Sequence, residues 1–489
     1  MSPSAARTPV LVGIGLATRH EEDWRRALEP MDLMLEAVRA AGRDAGSAAL
    51  LAGAGYVAVP RGRWRYRNPA GEVARAVGAG DASTALATVG VLQQTLIGEA
   101  CARIARGEIH TAIVTGADAG YRLLRAQLAG EEAQDRDQDD EPRELLAPKE
   151  ELRHPVEKRA GLVMPVGLYA IIESAFRARH GWSVAEHRER LAQLYARMSE
   201  IAAANPHAWQ RTALTPAAIR DAGPRNPMQA YPYTRAHVTS WNVDQAAALV
   251  LCSATRADEL GIAPGRRVYA LASTESNHMV PVSARDELGR CPGAALCGAA
   301  ALDAAGLNVD ALDLVELYSC FPVAVETYAE ALGLPLTRDL TVTGGMPFAG
   351  GPYNNYVLQA TARAAELLRA TERGTALVGS VSGVLTKQGF GLWSRQAPAT
   401  PFLHADLSAA VAAAITTRPV RDGHVGDARV AGYTVLHGRG QSPRALALLD
   451  TADGARVLAD SADPALAARF EQEEFVGREL RVDGTRLVT

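Results

Sequence analysis

The chain has 489 residues, 48% of them hydrophobic and 22% charged, with a formal net charge of −4. That is a globular balance, long enough for a sizeable core and more than one domain. The small net charge leaves no electrostatic footprint for nucleic acid or an anionic membrane surface. Five cysteines without CxxC spacing argue against a disulfide framework and against a metal site.

The opening MSPSAARTPVLVGIG lacks the basic-then-apolar order of a secretory signal. No apolar run reaches the ~20 residues a membrane helix needs. The sequence therefore predicts a cytoplasmic protein without membrane insertion.

In chain order, 10–15 (VLVGIG) reads as a buried strand and 32–45 as a helix with Leu33, Leu35, Val38 and Ala41 at helical spacing. A strand follows at 55–59. A helix at 94–106 carries Leu96, Ile97, Ala100 and Ile104 on one face, and leads into a strand at 111–115. Short buried strands alternating with helices mean an α/β protein with covered sheets. Residues 131–153 form a dense, acidic-leaning polar segment, read as a solvated loop, with an acidic docking site as the alternative. Amphipathic helices are expected at 168–179 and 185–205. Strands and helices then alternate again: strands at 244–252, 267–272, 314–317 and 375–378, helices at 293–305, 323–332 and 355–368. From 401 the pattern shifts to strands at 429–436, 444–450 and 481–488, with a short helix at 465–473 and Asp-Gly turns at 453–454 and 483–484.

An internal echo links the halves. A glycine loop (Gly90), a helix and the strand IHTAIVTG recur as a glycine loop (Gly350, Gly351), a helix and TALVGSVSG. Familiar signatures fail. Gly13–Gly15 lacks the third glycine of a dinucleotide fingerprint. The 344–352 run GGMPFAGGP has no Gly-Lys-Ser/Thr. GSVSG at 379–383 puts Val381, not serine, where a nucleophile elbow would need it. Cys291 and Cys297 read as inert structural thiols. His154, His207, His237 and His278 lie in polar or loop contexts.

Taken in order, VLVGIG, IHTAIVTGADA, NVDQAAALVLCS (242–253), VELYSCFP (315–322), TVTGGMPFAGGPYNN (341–355) and ALVGSVSG (376–383) resemble the thiolase superfamily over about residues 8–395. The YSCFP and GGP-x-NN forms resemble its sterol-carrier-type branch, nearest the type-1 thiolase-like proteins with an added C-terminal domain. The resemblance implies a pseudo-twofold, five-layer αβαβα body. Residues 1–120 and 238–264 would form one half, 121–237 a helical loop domain, 265–399 the second half, and 400–489 an additional β-rich, OB-like or split-barrel domain.

The family's chemistry needs a low-pKa cysteine at a helix N-terminus, a histidine, a second cysteine and oxyanion holes. By resemblance the nucleophile position falls on Val89 or Gly90, the histidine position on Gly351, and the second-cysteine position on Val381. The sterol-carrier-type His-Asp-Cys-Phe block reads Tyr318-Ser319-Cys320-Phe321. Loss of nucleophile and base together predicts no ordinary thiolysis or condensation.

Three functions follow as expectations. The first is a binder of CoA, an acyl-CoA or a carrier-bound acyl group, with no cofactor, using Gly90, Gly350, Gly351, Asn354, Asn355, Ser382, Gly383 and Arg235, with Arg159 also at the mouth. Asn354 and Asn355 read more simply as helix caps. The second is an acyltransferase reassigned to Cys320, Tyr318 and Ser319, with His278 as base; the plainer reading of Cys320 is a small core residue. The third is an interaction protein acting through the C-terminal domain. The resemblance leaves monomer and homodimer open.

Overall fold

The structure is a computed structural model and describes residues 3–488. Its large sheet runs, in spatial order, Leu314–Glu316, Thr375–Ser382, Lys387–Ser394, Val268–Ser276, Pro9–Arg19, Asp244–Ser253, Thr111–Ala119, Tyr56–Pro60, Ser83–Ala87, Glu144–Leu146. Within the sheet, its two halves are joined by the pairs Val10–Tyr269 and Leu11–Val268. Helices Gln93–Arg106 and Tyr356–Arg369 lie between the halves and pack on strands of both. Pro30–Ala45 covers the outer face of one half, and Pro292–Ala304 that of the other. This is the expected five-layer arrangement, and the sequence echo is its pseudo-symmetry. Among the described residues, no helix is long and apolar enough to cross a membrane.

The C-terminal unit is a closed five-stranded barrel. His424–Leu436 pairs with Arg444–Asp450, which pairs with Arg456–Ser461. Arg486–Val488 and Glu479–Gly484 complete the circuit back to the first strand. Closure removes the edges that an open small sheet would expose. Tyr433, Phe470 and Phe475 fill the barrel core.

The expected boundary at 400 moves. Leu403–Asp406 pairs in parallel with Val268–Ser276 and belongs to the large sheet, and the barrel begins at His424. The strands Ser83–Ala87, Lys387–Ser394 and Arg456–Ser461 were not expected. STALA and KQGFGLWS are poor in β-branched residues, so tertiary pairing decides them.

Residues 131–153 are polar and largely exposed, yet strapped down. Arg136 pairs with Glu29, Asp32 and Glu72, Arg122 with Asp135, Arg75 with Asp140, and Arg67 with Glu141. The belt then adds Glu144–Leu146 to the open edge of Ser83–Ala87.

Candidate functional site

The site lies where the helix Gln93–Arg106 begins, against the hairpin of Thr375–Ser382 and Lys387–Ser394. Gly90 has φ 101°, a conformation that side chains resist. A Cβ there would fall 2.9 Å from Pro148 Cγ and 3.1 Å from Leu152 Cδ1, so the end of the belt fills the space a side chain at position 90 would occupy. Val89, beside it, is 40% exposed. The helix starts three residues after Gly90, at Gln93, one residue before the expected start at 94.

That first turn is used to join the halves. Gln93 Oε1 accepts from Val357 N (2.7 Å), Gln94 Nε2 donates to Ser273 (2.8 Å), and Thr95 donates to Glu275 Oε2 (2.6 Å). Lys387 Nζ donates to Gly90 O at 3.1 Å. Lys387 is buried, and burial lowers its pKa against the opposing pull of Glu150 and Glu275.

Gly351 and Val381, which the resemblance assigned to the histidine and the second cysteine, are closely packed. A Cβ at Gly351 would overlap Thr239 Cγ2 and approach Met346 Cε to 3.0 Å, whereas one at Gly350 would overlap the Gln245 amide. Val381 is a buried strand residue opposite Gln388, and Ser382 lies opposite Lys387. The hairpin turn holds three consecutive residues at positive φ: Gly383 (60°), Val384 (54°) and Leu385 (69°). For Val384 and Leu385 this costs roughly 1–2 kcal/mol each. Arg285 Nη2 and Thr386 Oγ1 donate to Gly383 O (3.1 and 3.0 Å), and Gln388 Nε2 donates to Leu385 O (2.6 Å); together these bonds hold the turn. Burial lowers the Arg285 pKa to about 10, with Glu157 opposing. Arg456 of the barrel donates to the Arg285 carbonyl, linking the barrel to this turn.

The structure sends Tyr318, Ser319 and Cys320 in different directions. Tyr318 is partly exposed; burial of its hydroxyl raises its pKa, and it meets Gln93. Ser319 Oγ accepts from Met346 N at 2.9 Å, so it braces the glycine loop. Cys320 contacts the Tyr169 hydroxyl, and burial pushes its thiol up to about 12. Among the described residues no hydrogen bond joins His278 to these three. His278 follows the strand Val268–Ser276, next to Met279, which packs under Gly383.

Two further expectations are corrected. Asn355 stands at the N-cap of Tyr356–Arg369, but its side chain makes no cap; it donates to Gly116 O at 3.0 Å. Asn354 (φ 55°) donates to Arg61 O at 3.2 Å. The side-chain contact on the helix's first turn comes instead from Gln93, across the halves. Arg159 pairs with Asp422 at the surface, and Arg235 is exposed.

Sequence reasoning missed Lys387, Gln93, Thr95, Glu275 and Arg285. One signal was available: Lys387 is one of three lysines in an arginine-rich chain. Among the described residues, Glu173, His187 and Glu326 bring three possible metal-ligand atoms within 4.8 Å. They are buried and engage one another and Tyr233: His187 Nε2 lies 2.7 Å from Glu173, and Tyr233 donates to Glu173 at 2.5 Å.

No family model matches the sequence, and no curated protein does. Solved structures do. A monomeric SCP2-thiolase-like protein type 1 from Mycobacterium smegmatis is 28% identical, with 99% of each chain covered and a TM-score of 0.82. An Ltp2-ChsH2(DUF35) aldolase is 18% identical, covering 80% of this chain and 99% of its own, with a TM-score of 0.61. An acetyl-CoA acetyltransferase from Syntrophomonas wolfei is also 18% identical, with the same coverage and a TM-score of 0.54.

Proposed function

We propose that the chain, which shares its fold and 28% identity with an SCP2-thiolase-like protein over 99% of both chains, is a thiolase-like protein that binds CoA, an acyl-CoA or a carrier-bound acyl group without the covalent steps of a thiolase. The observation that carries this reading is Gly90. It has positive φ and no room for a side chain, at one of the two positions, Val89 or Gly90, that the resemblance assigns to the nucleophile. Gly351 and Val381 extend the loss to the base and the second cysteine. Without nucleophile and base, only positioning and electrostatics remain to act on a thioester. Lys387 and Arg285 supply buried positive charge beside the site, suited to a carbonyl oxygen or an anionic group.

The acyltransferase reading through Cys320 has less support, because a thiol held neutral by burial is a poor nucleophile. The interaction reading fares no better. The barrel strand His424–Leu436 packs on the helix Pro165–Arg179, whose buried Arg177 meets Glu474 and the Tyr433 hydroxyl, so this face of the barrel is committed within the chain. The sheet ends in the three-residue strand Glu144–Leu146, an edge too short to pair readily with a second chain, which favours a monomer over a homodimer.

The test is a thermal-shift titration with CoA, acetyl-CoA and longer acyl-CoAs, paired with intact-mass analysis and a thiolysis assay. The expected result is stabilisation by at least one CoA species, no adduct and no turnover. No shift with any chain length overturns binding. An acyl adduct lost in Cys320→Ala overturns the non-covalent reading.

A further inference from the structure

Three helices bring together three side chains that the proposed function does not use. Glu173 comes from Pro165–Arg179, His187 from Val184–Ala204 and Glu326 from Pro322–Leu332. Each is at most 1% exposed. His187 Nε2 lies 2.7 Å from Glu173 Oε1 and 4.0 Å from Glu326 Oε2, and one donor atom from each residue falls within 4.8 Å of the other two.

The charge there is unbalanced. Among the described residues neither carboxylate forms an ion pair with an arginine or a lysine; both meet only His187. Arg190, whose charge reaches Glu326, pairs with Glu186 instead. Burying two carboxylates beside a single imidazole is costly unless a counter-charge joins them. A divalent cation brings two carboxylates and a neutral imidazole to zero.

The hydrogen bonding is incomplete at the same place. Glu326 Oε2 is buried and accepts no hydrogen bond among the described residues, and the buried Tyr195 hydroxyl has no partner among them. Tyr195 lies close enough to feel the charges of both Glu173 and Glu326. Buried polar atoms are almost always bonded, to protein, water or an ion. The surroundings also hold the donors in place. Tyr233 donates to Glu173 Oε2 at 2.5 Å, which orients that carboxylate and leaves Oε1 toward His187. The Trp182 ring stacks on His187 with centroids 5.3 Å apart.

We infer that Glu173, His187 and Glu326 form a structural site for a divalent transition-metal ion of the zinc class, with the Tyr195 hydroxyl as the neighbouring fourth donor. Imidazole combined with carboxylates suits zinc, whereas calcium takes about six to eight oxygens. None of the donors is a cysteine, so the lack of CxxC spacing does not bear on this site. The ion pins Pro322–Leu332, the helix that follows Cys320 and Phe321, to two helices of the loop domain, and its binding adds to folding stability. The inference does not rest on the CoA reading.

The test uses the full chain without an affinity tag, purified from cells grown in zinc-supplemented and in zinc-depleted medium. Metal content is read by plasma mass spectrometry and stability by thermal unfolding. The supplemented chain is expected to carry about one zinc and to melt higher than the depleted chain. Cobalt(II) loaded in place of zinc should give visible d–d absorption, which reports protein donors rather than loose surface binding. By competition with a chelator, His187→Gln and Glu326→Gln should each lower zinc affinity by at least about a hundredfold. Glu186→Gln, an exposed carboxylate on the same helix as His187, should leave it unchanged. A chain that retains no zinc overturns the inference and leaves a proton as the counter-charge. Zinc binding undiminished in Glu326→Gln overturns it as well. If that variant or His187→Gln fails to fold, Tyr233→Phe decides, because it removes only the bond to Glu173. Binding weakened by about tenfold there supports the site, and unchanged binding overturns it.

Discussion

Lys387 Nζ donates a hydrogen bond to Gly90 O across 3.1 Å, joining a buried amine of one half of the body to the glycine turn ahead of the helix Gln93–Arg106 in the other. Around this bond the site is built as a junction: the first turn of Gln93–Arg106 spends its side chains on contacts between the halves.

Restoring the cysteine alone is expected to fail. Gly90→Cys must adopt a positive φ and push against Pro148 and Leu152. It should cost about 1–3 kcal/mol, read by denaturant unfolding, and yield no thiolysis. A stable, active variant would show that the belt yields easily.

Gln93 contributes stability by satisfying a buried backbone donor. Gln93→Leu leaves Val357 N without its acceptor and should cost about 1–3 kcal/mol. Gln93→Glu retains an acceptor and should hold the bond better than Leu. Equal losses in both variants would mean that packing, rather than this bond, sets the cost.

Cysteine reactivity should be low in the native protein. All five thiols are buried, and burial pushes Cys320 up to about 12. Near pH 8 the Cys320 thiolate is then roughly one part in ten thousand. Ellman's reagent should find no fast thiol in the native chain and all five after unfolding in guanidinium. One fast native thiol assigned to Cys320 would revive the acyltransferase reading.

In the metal-free chain, the pair of Glu173 and Glu326 predicts a pH dependence. Burial, then the negative charge of Glu173, raises the Glu326 carboxyl well above its ordinary value. Burial also acts to raise Glu173, but His187 and its hydrogen bonds outweigh it and hold Glu173 low. The folded state therefore keeps the Glu326 proton at pH values where the unfolded chain has lost it. That contribution to stability shrinks as pH rises from the ordinary carboxyl range toward the raised value. Glu326→Gln keeps a donor for Glu173 and removes the titration. Unfolding measured from about pH 5 to about pH 9 should show a flatter decline in the variant, with equal or greater stability at the alkaline end. A steeper decline in the variant would refute this assignment.

The sequence by itself determined an α/β body, because the hydrophobic periodicity of buried strand runs is local. Its ordered blocks carried the resemblance to the thiolase superfamily, and with it the two-halved layering that the structure shows. That resemblance also assigned Val89 or Gly90, Gly351 and Val381 to the nucleophile, histidine and second-cysteine positions. Only the tertiary structure decided what packs at them. That Pro148 and Leu152 fill the space at Gly90, that Thr239 fills it at Gly351, that Gln93 rather than Asn355 serves the helix Tyr356–Arg369, and that Lys387 reaches Gly90 all depend on residues from about sixty to about three hundred positions apart. The same holds for Glu326, which meets Glu173 and His187 from a separate helix. Contacts at such separations leave no period in the chain, because packing between finished elements creates them.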